Sequence, residues 1–111
     1  MAYHGTRLSD IFHALGDPTR LAVVELLSRK EASISELAAP HDMALSSFLK
    51  HVAILEQSGL ITTVKNGRVR TAALAPDRLG DAEKWFRDRR GLWEGRMDSL
   101  DALIKHKEPL T

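Results

Sequence analysis

Ala44-Leu-Ser-Ser-Phe-Leu-Lys-His-Val-Ala-Ile-Leu-Glu-Gln-Ser-Gly-Leu60 decides how this chain folds. Wound at roughly 100° per residue, it gathers Leu45, Phe48, Leu49, Val52, Ala53 and Leu55 in one arc. Ser46, Ser47, Lys50, His51 and Gln57 fall in the opposite arc, and only Ile54 interrupts them. Gly59 stands where a helix ends on a residue of positive φ. The stretch is therefore an amphipathic helix, expected to bury its apolar arc. Its outer face is rich in hydrogen-bond donors, and its single carboxylate, Glu56, lies at the edge of the apolar arc. Such a face suits an ordinary solvated helix. It also suits a helix lying in a DNA major groove, where Ser, Lys and His reach base edges or phosphates.

The residues that follow favour the second use. After Gly59 the period changes from 3.6 to 2. Leu60 to Val64 and Val69 to Leu74 alternate and are rich in β-branched residues, with Asn66-Gly67 between them. Asn-Gly between two such runs predicts a β-hairpin. With Asn66 and Gly67 as the turn, Lys65 would face Arg68 and Thr63 would face Arg70. Like charges directly opposite are destabilising, so the tip is expected to seek an anion, although basic residues also guard a hairpin edge against aggregation. Residues 43–76 carry Lys50, Lys65, Arg68 and Arg70 against Glu56. Residues 1–42 carry four basic and six acidic side chains, and residues 77–111 balance eight against eight. The positive charge is concentrated in the middle third.

Upstream, residues 1–7 show no periodicity and read as a frayed arm. Leu8, Ile11, Phe12 and Leu15 predict a short amphipathic helix stopped by Gly16. Asp17-Pro18 starts a second, with Asp17 as N-cap and Pro18 at the first helical position, running to about Arg29 with Leu21, Val24 and Leu27 inward. Ser33-Ile-Ser-Glu36 is a capping box opening a third helix, with Ile34 and Leu37 buried and Pro40 at its end. Two short helices joined by a few residues, the second polar outside, form a helix-turn-helix outline.

Downstream of Pro76, a long helix is expected from about Asp77 to Lys107. Leu79, Phe86, Trp93 and Leu100 recur every seven residues, with Met97 and Ile104 in the alternate seam position. A helix of about thirty residues extends roughly 45 Å, more than a head of this size needs for cover. The seam predicts a dimer interface, with one edge of the helix on the head's first helix and the other on the partner. Arg90 occupies a seam position and favours an interlocked pair over a free-standing two-stranded coil. Gly91 and Gly95 permit close approach of another backbone.

Composition bounds the rest. A chain of 111 residues fits one domain, here a head over residues 8–76 and a helix over 77–107. Apolar content of 43% with 28% charged residues is ordinary for a globular protein. No apolar run reaches membrane-span length, no secretory h-region opens the chain, and cytoplasmic location is the default. The sequence has no cysteine, which excludes disulfides and thiolate chemistry. The expected class is α+β, mostly α: a winged helix-turn-helix domain with a two-stranded β-hairpin wing and a long C-terminal dimerisation helix.

With these elements in this order, the sequence resembles the ArsR family of bacterial winged-helix repressors. Phe12-His-Ala-Leu-Gly-Asp-Pro-Thr-Arg-Leu21 is similar to the family's "ALGDPTRL" segment. Ile34-Ser-Glu-Leu-Ala38 is similar to its first reading-unit helix, Leu49 to Ile61 to its "S-(R/K)-H-L-x-V-L-x-x-A-G-L-V" segment, and Asn66-Gly-Arg68 to its wing. The segment Trp93 to Leu100 resembles the final helix of one subgroup. The resemblance implies a symmetric dimer on operator DNA that represses a promoter and is released by an inducer, whose identity the residues leave open. Leu49 stands where the family often has Ser, and Leu45 where it often has a polar residue.

The expected DNA-contacting residues are Ser46, Ser47, Lys50 and His51 on the helix and Lys65, Arg68 and Arg70 on the wing. The expected partner is a near-palindromic double-stranded operator, with a second copy of the chain across the seam and no membrane. The family's thiolate metal sites need cysteine. The alternative site on the last helices would have only Asp81, Glu83, Asp88, Glu94, Asp98 and Asp101 with a single His106, so no metal and no cofactor is expected. His4, His13 and His41 form no paired motif, and Ser33, Ser35, Ser46 and Ser47 have no activating base, so no enzyme is expected. Two alternatives stay open: a winged-helix module for protein association that has lost DNA binding, for which Ile54 speaks and the four cations speak against, and a repressor responding to metal through carboxylates and His106.

Overall fold

A computed structural model describes residues 8–107. In chain order the elements are α1 (Leu8–Leu15), α2 (Pro18–Leu27), β1 (Ala32–Ser33), α3 (Ile34–Ala38), α4 (Leu45–Gln57), β2 (Ile61–Asn66), β3 (Val69–Leu74) and α5 (Pro76–Lys107). The expected class is the one found: a winged helix, mostly helical, with a small antiparallel sheet and a long last helix. The chain divides into a unit ending at Asp81 and a second beginning at Ala82.

Local chemistry sets the boundaries in the first unit. Asp17, in extended conformation, accepts from the amides of Thr19 (2.9 Å) and Arg20 (3.1 Å), and Pro18 needs no partner at the first helical position. The capping box of α3 is complete. The Ser33 amide donates to Glu36 Oε1 (2.9 Å), and the Glu36 amide donates to Ser33 Oγ (3.1 Å). Beyond α4 the Gly59 amide donates to the Glu56 carbonyl and the Leu60 amide to that of Leu55, with Gly59 at φ +81°. This is a Schellman ending, which turns the chain straight into β2.

The core of this unit lies between the helices and the sheet. Ile11 and Ala14 of α1, Val23, Val24 and Leu27 of α2, Ile34 and Leu37 of α3, and Phe48, Val52 and Leu55 of α4 are buried. Leu60, Ile61 and Ala72 close it from the sheet side. Three expectations are corrected here. Leu21 points outward at 43% exposure, and Arg20, at 7%, takes the inward place beside Val23, Val24 and Leu27. Leu45 and Leu49, placed in the buried arc by periodicity, are exposed because Phe48, Val52 and Leu55 already fill the space α4 covers.

The third correction is the hairpin register. Lys65 pairs with Arg70 and Asn66 with Val69, so Gly67 and Arg68 form the turn, with Gly67 at φ +66°. Glycine takes the first central position of the turn, and Asn66 remains in the strand. The two-stranded hairpin β2–β3 is present as expected, and β1 adds to its β3 edge, giving a sheet in the order β1-β3-β2, all antiparallel. The Ser33 that caps α3 is itself paired with Thr71, so the start of α3 is fixed to the wing.

The second unit is a continuation of α5. Exposed pairs Lys84–Asp88, Glu83–Arg87 and Asp101–Lys105 run at i,i+4 spacing along it. The Arg89 guanidinium lies 5.2 Å from the centre of the Trp85 ring.

Gly59 is the backbone position with least tolerance. A Cβ there would face Arg78 Cγ at 2.8 Å as well as adopting positive φ. Gly59→Ala should lower unfolding free energy by about 1–2 kcal/mol, read as a reduced urea midpoint at unchanged m-value. An unchanged midpoint would show that this ending adds nothing to stability.

Candidate nucleic-acid interface

α4 shows three sides. Phe48, Val52 and Leu55 face the core, whereas Ser46, Ser47, Lys50 and Gln57 are exposed. No acidic residue sits in its first turn, and its N-cap, Ala44, contributes no side-chain bond, so the positive end of the helix is not neutralised by its own side chains. His51 lies between these faces and is half-buried.

His51 is held from behind. Arg20 Nη1 approaches His51 Nδ1 to 2.9 Å, and arginine can only donate. Nδ1 therefore accepts, which places the neutral ring's proton on Nε2. Arg20 also donates from Nε to the Ala14 carbonyl (2.8 Å) and from Nη2 to the His13 carbonyl (3.1 Å). Those carbonyls end α1, so one buried guanidinium joins α1, α2 and α4. Asp17 Oδ2 lies 3.7 Å from His51 Nδ1. Burial pushes the Asp17 carboxyl up. The Arg20 amide, the His51 ring when it is protonated, the charge of Arg20 and the Thr19 amide outweigh it and hold the group below the ordinary carboxylate range.

A second cluster ties α4 to the hairpin. The Thr63 hydroxyl donates to Glu56 Oε2 at 2.7 Å and accepts from Arg70 Nε at 3.1 Å. Arg70 Nη2 donates to Glu56 Oε1 at 2.7 Å. Arg70 thus meets a carboxylate inside the unit, which relieves its repulsion with Lys65 across the strand pair. Lys50, Lys65 and Arg68 are exposed and enter no ion pair among the described residues.

The segment from α2 through β2 carries the family signal. Residues 15–64 match a helix-turn-helix domain family. A crystal structure of an ArsR family transcriptional regulator aligns with a TM-score of 0.75 at 53% sequence identity, covering 78% of this chain and 90% of that one. The chain belongs to the ArsR family of transcriptional regulators. An ArsR-like transcriptional regulator from Rhodococcus sp. RHA1 is similar at a TM-score of 0.73 and 26% identity, over 86% of this chain and 91% of that one. The arsenical resistance operon repressor of Escherichia coli (strain K12) is 28% identical over 97 residues, 86% of this chain and 80% of that protein.

As an ArsR family member the protein is a transcriptional regulator and not an enzyme, and α4 occupies the place of a recognition helix, second of the helix-turn-helix pair α3–α4. Of the residues expected at DNA, the fold exposes Ser46, Ser47, Lys50, Lys65 and Arg68, while His51 and Arg70 are bonded within the unit. Sequence reasoning gave no role to Arg20, Glu56 or Thr63. For Arg20 a signal existed: it lies three, four and seven residues before Val23, Val24 and Leu27, so the inward stripe of α2 extends onto it. The remaining histidines stay apart. His13 lends only its carbonyl to Arg20, and His41 stacks on Phe48 with ring centres 5.5 Å apart. His4 and the side chain of His106 lie outside the described residues. Among the described residues no group of three or more His, Asp or Glu side chains could share a metal ion, and no helix is long and apolar enough to cross a membrane.

The lowered pKa of Asp17 has a sign that can be tested. A folded value below the unfolded one, about 3.9, means stability present above that value and lost as pH falls through the folded one. Asp17→Asn keeps an oxygen for the cap but carries no charge. Wild type should exceed it in unfolding free energy at neutral pH, and the gap should close as urea titrations descend below the carboxylate range. A gap that stays constant with pH would show that the Asp17 charge contributes nothing.

Proposed function

We propose that this ArsR family protein is a homodimeric repressor that binds a near-palindromic DNA operator in the cytoplasm. The observation carrying this reading is the acid-free outer face of α4, with Ser46, Ser47 and Lys50 exposed, on the same unit as the exposed cations Lys65 and Arg68 of the hairpin. α4 would enter a major groove, and the hairpin would hold phosphate. Two half-sites would lie about one helical turn, roughly 34–36 Å, apart. His51 and Arg70 would touch DNA only with their outer edges, because their inner atoms are bonded to Arg20 and to Glu56 and Thr63. No resident metal enters this reading, since the chain carries no cysteine to supply a thiolate.

Duplexes recovered from the source organism's genomic DNA provide the probe. Lys50→Ala should cost about 1–3 kcal/mol and relax preference at one position. Arg68→Ala should weaken all duplexes alike and reduce the slope of log affinity against log salt by about 0.9. Equal affinity of Lys50→Ala and wild type at matched salt would sink the groove assignment.

The dimer rests on α5. Phe86, Trp93, Met97, Leu100 and Ile104 lie along the helix, each more than two-fifths exposed, and a Cβ added at Gly91 or Gly95 meets nothing within 4 Å. An apolar stripe of that extent is an association surface, and burying one Trp and one Leu per chain contributes several kcal/mol by area before association entropy is subtracted. Leu79, on the first turn of the same helix, is half-buried and would mark the edge of the seam. In sedimentation at micromolar concentration the wild type should run as a dimer and a Trp93→Ala, Leu100→Ala double variant as a monomer. A monomeric wild type, or a fully dimeric variant, would move the interface elsewhere.

A further inference from the structure

The exposed surface of α4 is not wholly polar. Leu45 is 59% exposed and Leu49 37%. They stand one turn apart on the same side of the helix, and each immediately precedes a residue of the polar face, Ser46 and Lys50. A single exposed leucine is ordinary. Here two share one strip within the first two turns of α4, the end of a recognition helix that meets base edges. The strip has no acidic neighbour in that first turn, and the segment around it, residues 43–76, carries four cations against one carboxylate. A patch so charged suits a polyanion better than another protein.

Resting on the DNA-binding reading above, we infer that Leu45 and Leu49 read thymine 5-methyl groups in the major groove. Thymine is the base that offers a carbon surface there; the other bases present donors and acceptors that a leucine can desolvate but not pair. Leu45 and Leu49 therefore select for thymine and against bases whose polar edge would be covered without a partner. Each operator half-site carries thymine beneath the first two turns of α4, beside the position contacted by Lys50. The polar residues fix register, and the two leucines add a preference that hydrogen bonding does not supply.

The test uses the full-length protein and duplexes enriched from a random-sequence pool by the wild type. Thymines of the enriched half-site are then replaced one at a time by deoxyuridine, which removes the methyl group and leaves every hydrogen-bonding atom in place. At one or two thymines the replacement should weaken wild-type binding about fourfold, the worth of one buried methyl group. In Leu45→Ala or Leu49→Ala the same replacement should change affinity by less than about 1.5-fold, because the apolar partner is gone. Both leucines are exposed, so circular dichroism and urea unfolding should match wild type and exclude misfolding as the cause. An enriched site with no methyl-sensitive thymine overturns the inference, as does a sensitivity retained in both variants. Failure of the pool to enrich any sequence overturns the DNA-binding reading itself, and this inference with it.

Discussion

The Arg20 guanidinium is the interaction on which the helical half of the head depends. A cation taken out of water is costly unless its donors are satisfied, and Arg20 is 7% exposed. The compensation comes from three places at once: the carbonyls of His13 and Ala14 in the last turn of α1, and the ring of His51 on α4. The cap of α2 is part of the same arrangement, since Asp17 accepts the Arg20 amide and sits near His51. Removing any partner would leave a buried charge underpaired, which costs more than the lost bond alone. The rotation of α4 about its own axis is consequently tied to α1 and α2.

A second constraint acts on the other side of α4. Glu56, Thr63 and Arg70 form a closed set of three bonds between the helix and the hairpin. The Ser33–Thr71 pairing of β1 fixes the start of α3 to the same sheet. The helix-turn-helix pair and the wing are thus connected at both ends, by backbone pairing at α3 and by a charge-assisted network at α4. In an ArsR family regulator this couples the presentation of Ser46, Ser47 and Lys50 to that of Lys65 and Arg68. Two of the cations and imidazoles that look like DNA contacts in the sequence, Arg70 and His51, do much of this internal work.

α5 follows different physics. Its charged residues pair at i,i+4 spacing along its own surface, while Phe86, Trp93, Met97, Leu100 and Ile104 remain exposed. Salt-bridged flanks stabilise the helix itself only weakly. Covering an apolar stripe of this length releases more free energy than those pairs do, and that supports the proposed self-association.

Local rules made much of this protein legible from sequence. Asp17-Pro18, the Ser33–Glu36 box and Gly59 set element ends because their bonds close within a few residues, and the change of period after Gly59 marks the wing. The family motifs lie in the same stretches. What periodicity could not decide is which members of an arc are covered. Leu45, Leu49 and Leu21 belong to apolar arcs, yet burial depends on how much neighbouring surface reaches them, a property of the packed helices and not of one helix. Register was lost for a similar reason. Asn-Gly allows more than one turn, and Glu56, fourteen residues from Arg70 in sequence, meets it only in the folded unit. The inward stripe of α2 extends onto Arg20, but its partners could not be read from sequence, because they arrive only with α1 and α4. The sequence by itself determined the elements, their order and the positive middle third. Tertiary packing decided which side chains on the recognition helix and wing are exposed to a partner, because burial and long-range pairing are settled only when separate elements meet.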